Sequence, residues 1–531
     1  MVRNKLSALS VCAFCAMLLL VLCGCQKKQD TAEGRANDPA EITVEVFDRG
    51  TDGGKSDPTN NAWTQWIQEK ILKDENIKVT FVAVNRWDET SVMNNLLGAG
   101  TAPDVSFSYN GEQINIYGKQ GGIVDIAPYV DSHLSDVKKL LGQDMLMGGE
   151  WAIYRALDTE TGELYTVPNR YMYTATQNMF IRKDWLDKLG LPLPTTKEEF
   201  AAALAAFKEQ DPGGVGANRV VPFTLTTDVR WTAGIILDSH IDPYMSDKDR
   251  WINTVVDRNL LLPGYKEGMR YLNGLYNAGL IDRDFPLYKE ESAMVNLIKS
   301  GVVGSFSHNW DQIYRDNQSL MADMQKNVPS AVFVPVDCMK SVDGLTHKRG
   351  SSSIGGLSFF IPKTCKNVDA ALRYVNWLAK YENYHFLQFG NEGTNHQLVN
   401  GIPKIVPATG GWIQNSGANI DYTISINGYN LNDEAKTGQA LALSYSFPME
   451  DVFEAYRISS LNAYIGPFIR ANLVEAAPLV QTLVDNAATL YVQSIIASPA
   501  DFDRIWDRGV QDWLISGGQR VVDERRAKYP N

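Results

Sequence analysis

Ile42-Thr43-Val44-Glu45-Val46 alternates apolar and polar side chains, the two-residue period of a strand, and the elements next to it in the chain turn that strand into a fold. A glycine-rich loop leads into a helical pattern carried by Trp63, Trp66, Ile67 and Ile71. Ile77 to Val84 alternates again, a helix is expected around Val92 to Leu97, and a third strand near Val105 to Phe107. This β-α-β-α-β order predicts an α/β fold with a mainly parallel sheet, whose ligands bind beyond the carboxyl ends of the strands.

Later segments extend the pattern. Arg182 to Leu189 reads as a short helix stopped at Gly190, with Pro192 and Pro194 preventing its continuation. Thr196-Lys197-Glu198-Glu199 forms a capping box, after which Phe200, Ala203, Leu204 and Phe207 fall on one helical face. Met269, Leu272 and Tyr276 share a face ending at Gly279, and Leu372, Val375 and Ala379 do so after the cap candidate Asn367.

The amino terminus carries an address. Arg3 and Lys5 precede a nearly uncharged run from Leu6 to Leu22, the charged and apolar regions of an export signal. Leu22-Cys23-Gly24-Cys25 is similar to a bacterial lipoprotein box, so residues 1–24 are expected to be removed and Cys25 to carry lipid. Residues 25–40 are polar and charged, with no large apolar side chain to bury, and read as a flexible tether. The expected location is the outer face of the cell membrane, with the chain anchored by lipid.

The chain is 531 residues long, more than one hydrophobic core serves, so two lobes are expected. Its 62 acidic residues outnumber 50 Lys and Arg, for a net charge of −12, which opposes nucleic-acid binding through a general basic surface. An acidic sugar is opposed only weakly, because a local cluster of Arg could still bind one. Four of the six cysteines lie at or before Cys25, so the CxxC at Cys12 to Cys15 belongs to the leader; Cys338 and Cys365 could pair or stay free.

Across these segments the chain resembles the solute-binding proteins of carbohydrate ABC importers, in particular the long oligosaccharide-type lipoproteins. The matching stretches are Gly121 to Ile126, Gly162 to Pro168, Phe180 to Phe207, Tyr265 to Asp282 and Gly390 to Gly393. Within them, RKDWLDKLGLPLPTT (182–196) is the most specific. The resemblance implies a two-lobe fold of the periplasmic-binding-protein type, with hinge crossings and a ligand cleft between the lobes. It assigns residues 41–173 and 331–382 to an N-lobe, and 174–330 and 383–531 to a C-lobe. Crossings are expected near Arg170 to Thr176, Val332 to Val336 and Lys380 to Phe389. It further implies a monomer that gives its sugar to membrane permeases, with no cofactor.

Some such receptors carry a calcium loop where this chain reads Asp211-Pro212-Gly213-Gly214-Val215-Gly216-Ala217-Asn218-Arg219-Val220. Gly213 and Val215 stand where amide ligands would be, and Arg219 and Val220 replace an acidic pair. Calcium needs several oxygen ligands, so no metal is expected here.

Sugars show apolar C–H faces and hydroxyl rims, so a sugar cleft combines aromatic platforms with hydrogen-bonding side chains. Trp310 is the leading candidate because Val302 to Phe306 reads as a strand and Ser307-His308-Asn309-Trp310 comes at its end; related receptors stack sugars on such a Trp. His308 could bind ligand or be structural. Asp48 and Arg49 follow the first strand, and Tyr109 and Asn110 the third, with loop-capping as the competing role. Arg170 and Tyr171 lie at the first crossing. Glu392 and His396 lie where relatives border the cleft, and Trp231 and Trp412 have polar, glycine-containing surroundings.

Two other functions are compatible with the sequence. An extracellular glycan-active enzyme could use two of the many carboxylates, although HExxH, GxSxG, P-loop and GxGxxG signatures are absent. A lipoprotein that senses glycans could use the same fold without importing anything.

Overall fold

The computed structural model describes residues 38–50, 57–315, 320–471 and 473–529. The leader, Cys25 and the tether up to residue 37 lie outside the described residues. Strand β1 (Ala40–Asp48) runs parallel to β2 (Ile77–Asn85), joined by the helix Ala62–Glu75 whose Asn61 cap accepts from the backbone N–H of Trp63 and Thr64. Beside β1 lies β3 (Ser106–Ser108), bonded through Glu45 N–H to Val105 O at 2.9 Å. The expected β-α-β-α-β unit is therefore present.

The chain then forms β4 (Val167–Tyr171) and leaves for a second sheet made of β5 (Gln177–Arg182), β6 (Val221–Phe223), β7 (Val303–Asn309) and β8 (Phe333–Val336), in the order β8-β5-β7-β6. It returns as β9 (Ile354–Phe360) and later β10 (Ile426–Asn427), completing a first sheet that runs β10-β4-β9-β3 and continues to β1 and β2. Both sheets are mixed, which corrects the mainly parallel expectation. β9 is antiparallel to β3 and β4, and β5 is antiparallel to β7 and β8, because these strands arrive from the other lobe rather than over a helix.

Each sheet has its own core. Val44, Val46, Ile67, Ile71, Phe359 and Val375 belong to the first. The second sheet is covered on both faces: Met179 and Ile181 face one cluster with Trp185, Phe207 and Leu272, while Phe180 faces another with Phe306, Phe333 and Ala455. All six residues of β5 are accordingly buried. Gly304 in β7 lets the helix Lys197–Gln210 approach, since a Cβ there would lie 2.6 Å from Phe207 and 2.9 Å from the Pro222 carbonyl oxygen.

The lobe boundaries differ from the expected ones in two places. Val332 to Val336, read as a crossing, instead contributes β8 to the second sheet, with Phe333 opposite Arg182; the return to the first sheet falls between Val336 and Ile354. Ile420, Tyr422 and Ile424 join the first core, although they stand in the stretch assigned to the C-lobe.

The two sheets are tied together where the chain passes between them. Met172 N–H donates to Asn427 O at 2.9 Å, Tyr171 N–H to Ser353 O at 2.8 Å, and Ser351 N–H to Thr174 O at 3.0 Å. Three passing segments thus lie side by side, bonded backbone to backbone.

Candidate functional site

At these passing segments the sheets leave a crevice. One cavity of about 310 Å³ is lined by Tyr171 from the end of β4, by Thr176 and Gln177 at the start of β5, and by Trp231 and Trp310. Trp310 follows β7, and its N–H donates to Thr176 O at 3.0 Å. The residue is 7% exposed and its ring meets Tyr445 and Tyr456 edge-on at 6.0 and 5.5 Å, so it is mostly packed while lining the cavity. Trp231 stands on the one-turn helix Val229–Thr232, with Asp228 capping its backbone N–H. Gln177 Nε2 donates to Trp231 O at 2.6 Å, which fixes this turn against β5. Burial pushes the Tyr171 phenol above its usual pKa, keeping it a neutral donor and acceptor.

A second cavity of about 310 Å³ shares Asp238, Asp257, Asn259 and Arg349 with the first. Asp257 takes two bonds from Arg349, at 2.8 and 2.9 Å, and also pairs with Arg230. Burial raises Asp238 to about 6 against the opposing pull of Arg230 and of a 3.2 Å bond from Asn259. Arg250 lies over the Tyr464 ring at 4.3 Å and Arg155 over Phe468 at 4.0 Å. A larger recess of about 870 Å³ adjoins through Thr254, Asp257 and Arg525, with Asn115, Lys119 and Tyr165 on one wall and Leu473, Val474 and Val480 on the other. The walls of these adjoining spaces come from both lobes.

Of the residues singled out by sequence, Tyr171, Trp231 and Trp310 line the first cavity. The others are engaged elsewhere. His308 is 1% exposed; its Nε2 pairs with Glu291 at 2.5 Å and its Nδ1 accepts the Asn309 N–H, and it meets the Trp231 ring edge-on, so it supports a wall. Arg49 makes a two-bond pair with the buried Asp421, both at 2.8 Å. Burial pulls that guanidinium down, and the bonds and charge of Asp421 more than restore it, leaving its pKa above the ordinary value. Asp48 accepts the Gly50 N–H, and Asn110 caps the helix Gly111–Lys119 through Gln113 N–H at 3.1 Å. Tyr109 stacks on Phe47 at 6.1 Å with Arg86 over its ring at 4.1 Å.

Arg170 donates to Leu141 O at 3.0 Å. Glu392 is exposed and bridges to His396, whose Nδ1 meets Phe389 O at 3.0 Å within a small hairpin. Trp412 packs edge-on against Trp63 at 4.9 Å and accepts the Trp63 Nε1–H at 3.0 Å. None of these nine lines the three cavities.

Sequence reasoning passed over Arg230, Asp257 and Arg349. None follows a strand, and Asp257 sits in a turn whose left-handed φ of 59° carries no glycine to announce it.

The loop at Asp211 closes on itself: the carboxylate accepts the N–H of Val215 at 3.0 Å and of Gly216 at 2.8 Å. Among the described residues no group of three or more His, Cys, Asp or Glu could hold a metal ion. Cys338 is buried and Cys365 half-buried, and both are free thiols. No helix of the described residues is long and apolar enough to cross a membrane.

A family model described as bacterial extracellular solute-binding protein matches residues 56–384. The polygalacturonan/rhamnogalacturonan-binding protein YtcQ of Bacillus subtilis is 21% identical over 504 residues, which are 90% of this chain and 93% of that protein. The fructooligosaccharide ABC transporter substrate-binding protein FusA of Streptococcus pneumoniae is 25% identical over 236 residues, so the match spans 41% of each chain. Among solved structures, the alginate-binding protein AlgQ2 without calcium ion superposes with a TM-score of 0.61 and 17% identity, over 93% of this chain and 98% of the other. That likeness shows the two-lobe fold.

Proposed function

The chain belongs to the bacterial extracellular solute-binding protein family, and from that premise we propose that it binds an oligosaccharide by lobe closure and hands it to the permeases of an ABC importer. The observation that carries the reading is the crevice itself, walled from both lobes and holding Tyr171, Trp231 and Trp310 on its faces. Aromatic faces suit the C–H side of a sugar, and Gln177, Asn259 and Asp238 offer bonds to its hydroxyls. The relatives named for glycans support carbohydrate as the solute. A ligand touching both lobes favours the closed form by its difference in affinity for the two forms. Micromolar affinity, about −8 kcal/mol, would allow both capture and release.

The solute is carried unchanged, the chain acts as a monomer, and Cys25 bears the lipid that keeps it outside the membrane. Support for the anchor is the basic, apolar and cysteine-ended order of residues 3–25. A thermal-shift and calorimetric screen of the protein against neutral and acidic oligosaccharides tests the function. Saturable binding with the sugar recovered intact is expected; released cleavage products would make it an enzyme, and no binding across the panel would end the proposal. Replacing Cys25 by Ser should move the protein from the membrane fraction into the medium.

A further inference from the structure

We propose that Trp87 is a second sugar platform, set apart from the crevice and reached only by the far units of a long oligosaccharide; this rests on the crevice being a carbohydrate site. Trp87 follows β2, in the short helical turn Arg86–Asp88. It is 73% exposed, whereas the next most exposed of the twelve Trp, Trp151, is 38% exposed. Trp has one of the largest apolar faces of any side chain, so a ring left in water forgoes a large burial.

Strand direction puts this ring on the ligand edge. β1 is parallel to β2, and Val44 of β1 pairs in parallel with Val105, the residue before β3. β9 is antiparallel to both β3 and β4, so β3 and β4 also run the same way. The carboxyl ends of β1, β2, β3 and β4 therefore share one edge, and Tyr171 at the end of β4 lines the first cavity. Ligands of α/β sheets bind beyond that edge. β9, β3 and β1 stand between β4 and β2, so the two strand ends are four steps of ~4.8 Å apart, about 19 Å. A short sugar in the crevice would not span that distance, and a longer one lying along the edge would.

The turn is braced beneath the ring. Asn85 Oδ1 accepts the Trp87 N–H at 2.9 Å. The Arg86 guanidinium carbon lies 4.1 Å from the Tyr109 ring centre, 5.4 Å from that of Phe47 and 5.5 Å from that of Trp87, and Arg86 also meets Glu89 at 3.5 Å. One guanidinium thus joins a buried ring, a half-buried ring and the exposed one. A Trp ring has only two side-chain torsions to fix, so stacking it on the C–H side of a sugar costs little ordering.

Calorimetry with fructooligosaccharides and oligogalacturonates, each as the trisaccharide and the octasaccharide, tests this. In a series that binds, the octasaccharide should bind the unaltered protein about tenfold tighter than the trisaccharide. Trp87→Ala should remove most of that advantage while leaving trisaccharide affinity within about twofold, and Trp87→Phe should restore part of it. Both variants should keep the melting temperature of the unaltered protein, since the ring is exposed. An octasaccharide that binds no tighter than its trisaccharide, a Trp87→Ala loss equal at both lengths, or no loss at either, would overturn the platform and leave the sugar-receptor reading standing. No binding by either series would remove both.

Discussion

The strand ends of the two lobes have been put to opposite uses. In the first lobe, Arg49 is locked to Asp421, Tyr109 lies beneath Arg86, its N–H donates to Glu89, and Phe107 N–H is held by the buried Glu45. In the second, Trp310 and the turn carrying Trp231 border a cavity, beside arginines paired with Asp257 and Asp311. One edge turns its charged side chains inward onto its own fold, while the other borders an open cavity.

The contrast can be broken most forcefully at its closed end. Asp421→Ala leaves the half-buried Arg49 without its carboxylate, and unfolding by denaturant should register a loss of about 3 kcal/mol. At the open end, Trp231→Ala should cost ligand about tenfold in affinity by calorimetry, ~1.4 kcal/mol, with little change in melting temperature. Equal losses of stability at both ends would erase the distinction.

A milder probe is Asn110→Ala, which removes a helix cap from the first lobe. It should lower stability by about 1 kcal/mol and leave sugar binding as it was; a binding defect would return Asn110 to the site. The subtlest test is of slope. The fold raises Asp238 from 3.8 to about 6, so the folded chain holds a proton that the unfolded chain has given up between those values. This group's contribution therefore makes stability fall as pH rises through that window, and Asp238→Asn should flatten the pH profile there. An unchanged profile would show that Asp238 is already solvated.

Much of this architecture was legible in one dimension. β1 and β2 carry a two-residue period that only a strand satisfies, and Thr196 announces its helix through the bond it makes to Glu199 N–H. β8 was not legible, because Pro335 interrupts its pattern; at the edge of the second sheet the missing donor costs nothing. Trp310, which lines the first cavity, was singled out by its position after a strand. His308, two residues earlier, reads the same way in sequence, and only the fold brings Glu291 to occupy it. The Arg230, Asp257 and Arg349 cluster joins segments scattered over more than a hundred residues, and no local period can encode such a meeting.

The backbone lacing between the lobes restricts how they can move. Because Met172, Tyr171 and Ser351 are bonded to the neighbouring passes, a twist of one pass would pull on the others, so a hinge here would turn as a single ribbon. If closure runs through such a ribbon, one pair of fluorophores, with one dye on each jaw, would follow the whole stroke.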